Sequence, residues 1–301
     1  MDSLLDSYRQ HLQGRNLSPY TIRNYLSDLS HFLQFLQEEA LSLQTLSRQA
    51  FRHYLARLSQ DGVAPASIAR KVSTIRTFLR FLVQEGHLEH DPLSGVRGPK
   101  RPRRLPAYLS PEQVTALIEA ASGASPGELR DRALLELLYA CGLRVSEVTG
   151  LDVGDVDLLE GIARVRGKGG KERLVLMGRP AVQALRRYLR DGRPALLRQP
   201  YQQALFLNMR DGQRLSARSV QAIVRRYAQR AGIDRRVWPH LLRHTFATHM
   251  LDGGADLRVV QELLGHTSPT STQIYMHVTQ EHQRRRYLEA FYHQIHRPRE
   301  G

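Results

Sequence analysis

Residues 161–177, GIARVRGKGGKERLVLM, decide the fold class of this chain, because they form its clearest β pattern. Two short runs of apolar and β-branched residues flank a turn of glycines and lysines, which is typical of a strand, a tight turn and a second strand. Most of the remaining sequence shows helical periodicity instead. We therefore predict a mainly α protein with a small antiparallel β-sheet, whose second part is of the α+β class.

The first 95 residues are predicted to be helical, with no convincing strand. Ser18 followed by Pro19 is typical of a helix N-terminus, and apolar residues then recur at helical spacing as far as Leu36. Further helices are predicted near residues 2–13, 47–60 and 65–85. Together they would form a four-helix unit with its own core.

A basic, proline-rich segment follows at residues 90–106, HDPLSGVRGPKRPRRLP, and its composition is typical of a linker. Its density of positive charge suits contact with DNA phosphates, although a solvated tether would have the same composition. The candidate DNA-binding residues are Lys100, Arg101, Arg103 and Arg104. We predict a helical domain at residues 1–95, a basic linker at 96–107 and a second domain at 108–301.

Beyond the linker, helix signals surround the predicted hairpin. Ser110, Pro111 and Gln113 form a helix-capping pattern, and an apolar helix over residues 129–140 would end at Gly142. Further helices are predicted near residues 180–190, 217–230, 240–252, 256–264 and 280–293. The second domain is therefore a helical body that carries the small sheet.

The overall charge points to a polyanionic partner. Lys and Arg number 44 against 29 Asp and Glu, a formal net charge of +15, and the isoelectric point is near 10.5. An excess of this size favours nucleic acid, since acidic surfaces serve solubility better than basic ones.

Cysteine content and hydropathy exclude other classes of protein. The one cysteine, Cys141, rules out an intramolecular disulfide and any zinc site built on several cysteines. The first residues, MDSLLDSYRQ, lack a basic region typical of a secretory signal, and no apolar run approaches the ~18 residues that span a bilayer. We expect a cytoplasmic protein that does not enter a membrane.

Five short patterns hold the candidate functional residues: GLRVSE, RGKGGKER, HLLRH, LGH and STQIYMH. The residues are Arg144, Lys168, His240, Arg243, His266 and Tyr275. Each pattern alone has a structural explanation, such as a surface arginine, a hairpin turn, a helix cap or a core tyrosine. In HLLRH, two histidines four residues apart would also suit a metal ion.

Taken together, the patterns match the needs of attack on a phosphodiester. That reaction needs a nucleophile, a base, an acid for the leaving oxygen and cations for the non-bridging oxygens. Tyr275 is a candidate nucleophile, Arg144 and Arg243 offer planar guanidinium groups, and the two histidines can move protons. Lys168, at the predicted hairpin tip, could reach a leaving group.

The metal alternative is weaker. HLLRH lacks the glutamate of the HExxH pattern, and a metal bound by His240 would lie beside the cationic Arg243. We therefore expect no metal and no cofactor. His244 and His249 are expected to pack and hydrogen-bond on the same helix.

These patterns resemble the catalytic set of the tyrosine site-specific recombinases, the phage integrase family. All six family positions are matched, with the tyrosine nine residues after the histidine of LGH. The likeness covers essentially the whole chain. It is nearest to the bacterial Xer chromosome-dimer recombinases, and the sequence patterns are closer to those of XerD than to those of XerC. Two departures, Met276 for the usual threonine and VLM for the common VPL, lie outside the catalytic positions.

The resemblance implies that residues 1–95 are a SAM-like core-binding domain and that residues 108–301 are the catalytic domain of a C-shaped DNA clamp. Tyr275 would attack the scissile phosphate to form a 3′-phosphotyrosyl bond and release a 5′-hydroxyl, with His240 as base and Lys168 as acid. The developing charge would be stabilised by Arg144, Arg243 and His266. Neither ATP nor metal would be required.

The resemblance also implies partners. Four protomers would hold two double-stranded dif-like sites and exchange strands through a Holliday junction. The sequence leaves open whether a paralogous Xer partner takes part, and activation by the septal DNA translocase FtsK is implied by the family alone. A type IB topoisomerase would use similar chemistry, and a non-catalytic DNA-binding relative would lack the nucleophile.

Overall fold

The computed structural model describes residues 2–15, 17–95, 108–167 and 170–265. The predicted linker with its four basic candidates, the predicted helix near 280–293 and the candidates Lys168, His266 and Tyr275 lie outside the described residues. The chain divides into two compact units, Met1–Leu105 and Pro106–Gly301. The predicted domain boundaries stay a prediction.

The first unit is built from four helices, as the sequence predicts. Their bounds are α1 Asp2–Gly14, α2 Pro19–Glu38, α3 Arg48–Gln60 and α4 Pro65–Gln84. The Ser18 hydroxyl accepts a hydrogen bond from the Thr21 amide at 3.1 Å, which fixes the start of α2. Apolar faces of all four helices meet in one core around Leu29, Phe32 and Phe78, which are fully buried.

The second unit contains the predicted hairpin and one strand more. Strands β1 Val156–Asp157, β2 Ile162–Arg166 and β3 Glu172–Leu176 form an antiparallel sheet in the order β1-β2-β3. Arg166 faces Glu172 at the turn end of the hairpin, and their side chains form an ion pair at 2.8 Å. The two residues of β1 are too few to show an alternating pattern, so the sequence did not predict that strand.

Helices surround this sheet and confirm the predicted fold class, mainly α with a small antiparallel sheet. Their bounds are α5 Pro111–Glu119, α6 Pro126–Ala140, α7 Val145–Gly150, α8 Arg179–Arg187, α9 Arg193–Leu196, α10 Ala217–Arg230, α11 Pro239–Asp252 and α12 Leu257–Leu263. A π-helical turn, residues 188–192, joins α8 to α9. Helix α6 lies at the centre and contacts α5, α7, α8, α9 and α11.

Helix α6 differs from the prediction in where it begins, and the short helices α7 and α9 were not predicted. Helix α6 begins at Pro126, three residues earlier than predicted, because Ser125 and Glu128 form a capping box there. Helix α7, six residues long, was not predicted at all, since it is too short to show helical periodicity. Within the described residues, no helix is long and apolar enough to cross a membrane.

Candidate active site

A sharp turn after α6 places the first candidate, Arg144. Gly142 has a φ of +56°, and a Cβ built on it would lie 2.5 Å from the Phe246 ring, so no larger residue fits there without displacement. The turn leads directly into α7, where Arg144 is the residue that precedes the first helical position. Its side chain stays partly exposed, at 38%.

Arg243 comes from α11 and lies beneath Arg144. Its side chain is buried, and its two terminal nitrogens donate hydrogen bonds to the carbonyl oxygens of Gly142, at 2.7 Å, and Leu264, at 2.5 Å. Nη1 of Arg144 donates a longer hydrogen bond, 3.4 Å, to the same Leu264 oxygen. The end of α12 therefore brings the two predicted arginines together.

Glu147 is the anion that allows these cations to lie so close. Its buried carboxylate accepts hydrogen bonds from the backbone and the guanidinium of Arg144, at 2.8 and 2.9 Å, and lies 3.8 Å from Nη1 of Arg243. Burial alone would raise the pKa of Glu147, but hydrogen bonds from Arg173 and Arg144 outweigh it and hold the pKa below its ordinary value. The carboxylate is therefore ionised at neutral pH.

Arg173 of β3 is a third arginine of this cluster, and sequence reasoning did not single it out. It donates to both carboxylate oxygens of Glu147, at 2.7 and 3.0 Å, and its Nε donates to the Leu263 carbonyl at 3.2 Å. A signal was present in the strand pattern, because Arg173 shares its face with the buried Val175 two residues on. We name Arg144, Glu147, Arg173 and Arg243 the arginine cluster; its three guanidiniums and one carboxylate leave net positive charge.

His240 lies at the start of α11, three residues before Arg243, with its ring exposed. Partial loss of hydration lowers the pKa of His240, and the nearby positive charges of Arg243, His244 and Arg144 lower it further. The imidazole is therefore neutral at pH 7 and can accept a proton.

His249, nine residues after His240 on α11, has a different environment. His249 is buried, and its Nδ1 lies 2.8 Å from the hydroxyl of Tyr139, in agreement with the expected structural role. In the part of the chain that the structure describes, no three His, Cys, Asp or Glu side chains come together as a metal site.

Two described glycines that directly precede candidate residues in sequence lie beside the arginine cluster. Gly167 precedes Lys168, and a Cβ built on Gly167 would lie 3.8 Å from Oε1 of Glu147. Gly265 precedes His266, and a Cβ built there would lie 3.2 Å from Nη1 of Arg173. Gly167 and Gly265, the last described residues before Lys168 and His266, therefore lie beside the arginine cluster.

Models of known protein families match both units of the chain. Residues 107–282 match the Phage integrase family, and residues 5–86 match the Phage integrase, N-terminal SAM-like domain.

Curated relatives extend over nearly the whole chain. A Tyrosine recombinase XerC of Pelotomaculum thermopropionicum is 42% identical over 297 residues, which cover 95% of this chain and 97% of the relative. A Tyrosine recombinase XerD of Staphylococcus epidermidis is 40% identical over 291 residues, covering 96% and 98%. Both names occur at similar identity, so the closer likeness to XerD stays a prediction.

Solved structures share the fold. A XerH site-specific recombinase bound to a palindromic difH substrate has a TM-score of 0.70 at 23% identity, covering 97% of this chain and 84% of that one. A lambda integrase tetramer bound to a Holliday junction has a TM-score of 0.69 at 22% identity, covering 89% and 78%.

The arginine cluster generates a prediction about stability. Glu147→Gln removes the buried anion and leaves three guanidiniums unneutralised, so we expect the free energy of unfolding to fall by about 3 kcal/mol at pH 7. Because the pKa of Glu147 is lowered on folding, the carboxylate stabilises the fold above its ordinary pKa of 4.5 and loses this effect as the pH falls through its lowered pKa. The difference in the free energy of unfolding between wild type and variant should therefore decrease below pH 4.5.

Urea denaturation at pH 7 and at lower pH measures this difference in the free energy of unfolding. Glu160→Gln, at an exposed acidic residue of the same domain, is the matched control and should change stability little. A loss below about 1 kcal/mol for Glu147→Gln would contradict the central role of this carboxylate.

Proposed function

This chain belongs to the phage integrase family and is a tyrosine recombinase, a DNA strand-transferase that acts through a phosphotyrosine intermediate; from this premise we propose that it resolves chromosome dimers at a dif-like site. The Xer names of its relatives and the difH substrate of the XerH structure support this choice. A recombinase of chromosomal DNA would work in the cytoplasm, where the bacterial chromosome lies.

One observation carries the assignment of residues: Arg144 and Arg243 converge on a single carbonyl oxygen, beside a neutral His240. In our proposal the two guanidiniums hold the non-bridging oxygens of the scissile phosphate. Charge that develops on these oxygens in the transition state is stabilised most by donors that are already in place. Glu147 and Arg173 keep those donors in place.

The bond changes follow from these positions. The Tyr275 oxygen attacks phosphorus and gives its proton to His240, while the 5′-oxygen leaves with a proton from Lys168. His266 donates a hydrogen bond to the phosphate. The neighbouring glycines, Gly167 and Gly265, support the assignments of Lys168 and His266, since both lie against the arginine cluster.

The intermediate explains how strands can be exchanged without an energy source. A phosphotyrosyl ester replaces the phosphodiester, so the free energy of the broken bond is kept. Attack by a 5′-hydroxyl of another DNA strand restores the phosphodiester and frees Tyr275. We accordingly propose a reaction that requires neither ATP nor a metal ion.

Double-stranded DNA is the central partner, and we propose an assembly of four protomers on two sites. Lambda integrase forms such a tetramer on a Holliday junction, which supports this assembly. Occurrence of both XerC and XerD among the relatives supports a paralogous partner. The four basic residues of the predicted linker would contact phosphates, and FtsK is proposed as an activator on the family resemblance.

Tyr275→Phe tests the nucleophile. The variant keeps the ring and loses the attacking oxygen, so it should bind DNA normally yet form no covalent complex. Covalent complexes of the wild-type protein on sheared host DNA are trapped, separated in denaturing gels and sequenced at the attached ends. A single recurring site is expected from the wild type.

Other outcomes would change the proposal. A covalent band that persists in Tyr275→Phe would assign the nucleophile to another tyrosine, such as Tyr287 or Tyr292. Relaxation of plasmids without a recurring site would favour a type IB topoisomerase.

Lys168→Ala tests the general acid. A 5′-bridging phosphorothiolate leaves without protonation because sulfur is the better leaving group. Lys168→Ala should therefore be nearly inactive on ordinary DNA and close to wild type on the sulfur substrate, in single-turnover cleavage assays. Lys171→Ala, on the same hairpin, is the control and should lose little on either substrate. If sulfur fails to rescue Lys168→Ala, the acid must be another group, such as His266.

The dependence of cleavage on pH tests His240 as the base. The neutral imidazole is the active form, and its pKa lies below the ordinary value of 6.5. Single-turnover cleavage at subsaturating DNA, which reports groups of the free enzyme, should therefore stay constant as the pH falls to about 6.5 and decline only below it. His240→Asn should be slow and should lose this acidic limb, whereas a limb above pH 7 in the wild type would contradict a neutral His240 in the free enzyme.

A further inference from the structure

Trp238 is an exposed aromatic residue next to the candidate active site, and the chemistry proposed above does not use it. It is the only tryptophan of the chain, and 42% of its surface is exposed. It lies two residues before His240 and directly before α11. Exposed apolar side chains that occur singly are common, so exposure alone indicates no function.

Burial alternates along the segment that leads into α11. Trp238 itself is extended, with a φ of −142° and a ψ of 159°, and the helix begins at the next residue. Val237 and Pro239, on either side, are buried. Arg236, Trp238 and His240 are exposed. The indole is therefore exposed to solvent, as are the neighbouring His240 and Arg236.

Hydrogen bonds to helix α11 fix the backbone of Trp238. The Trp238 carbonyl accepts hydrogen bonds from the amides of Leu241, at 2.9 Å, and Leu242, at 3.4 Å, which are in the first turn of α11. The same helix carries His240 and Arg243. Trp238 and the phosphate-binding groups therefore belong to one rigid element, and the side chain has only two rotatable bonds to order.

Trp238 and His240 are close enough for both to contact one short stretch of a DNA strand. Residues two apart are separated by at most about 6.6 Å, the distance in a fully extended segment, and successive phosphates of one strand are about 3.4 Å apart along the helix axis. When His240 lies at a phosphate, the indole reaches the sugar of an adjoining nucleotide. A sugar face is apolar enough to pack on an aromatic ring and is present at every nucleotide.

We propose that Trp238 packs against the deoxyribose of the nucleotide that flanks the scissile phosphate, and so positions that phosphate for attack. The proposal rests on the function proposed above, because it needs the scissile phosphate at the arginine cluster. Trp238 acts as a positioning residue, and its contact is independent of base identity. Loss of the ring should therefore slow cleavage more than it weakens DNA binding.

Fluorescence tests the contact directly, since emission from tryptophan comes from Trp238 alone. The full chain with Tyr275→Phe is titrated with a 30-base-pair duplex that carries the trapped cleavage site, or with a random duplex at low salt if trapping finds none. Acrylamide, a neutral quencher, then measures how accessible the indole is. We expect quenching to fall at least twofold when the duplex saturates the protein.

Two variants separate positioning from structure. Under single-turnover conditions at saturating DNA, Trp238→Ala should form the covalent complex about tenfold more slowly than wild type, as expected for loss of an aromatic contact to a nucleotide. Trp238→Phe should stay within about threefold of wild type, because it keeps an aromatic face. The dissociation constant, from the anisotropy of a labelled duplex, should rise less than the rate falls in Trp238→Ala.

Leu159→Ala is the matched control. Leu159 is exposed, in the turn between β1 and β2, at the other end of the sheet from the hairpin tip. It should cleave as fast as wild type. Thermal unfolding of each variant shows that it folds.

The proposal is overturned if acrylamide quenching is unchanged while anisotropy shows saturation, or if Trp238→Ala cleaves as fast as Leu159→Ala. A slow Trp238→Ala whose melting temperature has dropped, without protection of Trp238 by DNA, would also overturn it in favour of a structural role. Absence of any covalent complex in the wild type would instead contradict the proposed function. Quenching would still show whether bound DNA covers Trp238, because it does not depend on cleavage.

Discussion

A single buried carboxylate, Glu147, is the interaction on which the rest of the site depends. Three guanidiniums on three different elements cannot lie together in a poorly hydrated place unless an anion offsets their repulsion. By accepting hydrogen bonds from Arg144 and Arg173 and lying 3.8 Å from Arg243, Glu147 joins α7, β3 and α11. The second unit can therefore keep three cations together before any DNA is present.

Several other acceptors of the arginine cluster are backbone carbonyl oxygens, which carry no net charge. Leu264, at the end of α12, accepts from Arg144 and Arg243, and Gly142 also accepts from Arg243. Carbonyl dipoles at a helix C-terminus orient a cation without neutralising it, whereas a second carboxylate would cancel the positive charge. The guanidiniums are thus fixed in place while their charge stays available to a phosphate, which is the arrangement that electrostatic catalysis requires.

Local patterns were enough to predict much of the fold and part of the site. The hairpin, the long helices and their capping residues follow from periodicity over neighbouring positions, and so does the placement of His240 and Arg243 on one helix. The partners of Arg173 could not be predicted in this way, since Glu147 and Leu263 lie 26 and 90 residues away in sequence. Glu147 had a local signal, three residues after Arg144, but its burial among arginines arises only when separate elements pack together. Lys168, His266 and Tyr275 stay predictions from sequence.

The histidine and arginine of HLLRH are linked by electrostatics as well as by spacing. Positive charge from Arg243 and Arg144, added to partial loss of hydration, keeps His240 neutral in the free protein. A bound phosphate would bring negative charge to the same place and offset those cations, so the pKa of His240 would rise when substrate binds. The imidazole would thus become a better proton acceptor at the step in which the tyrosine must lose its proton. The cations that would stabilise the phosphate would therefore also make the basicity of His240 depend on DNA binding.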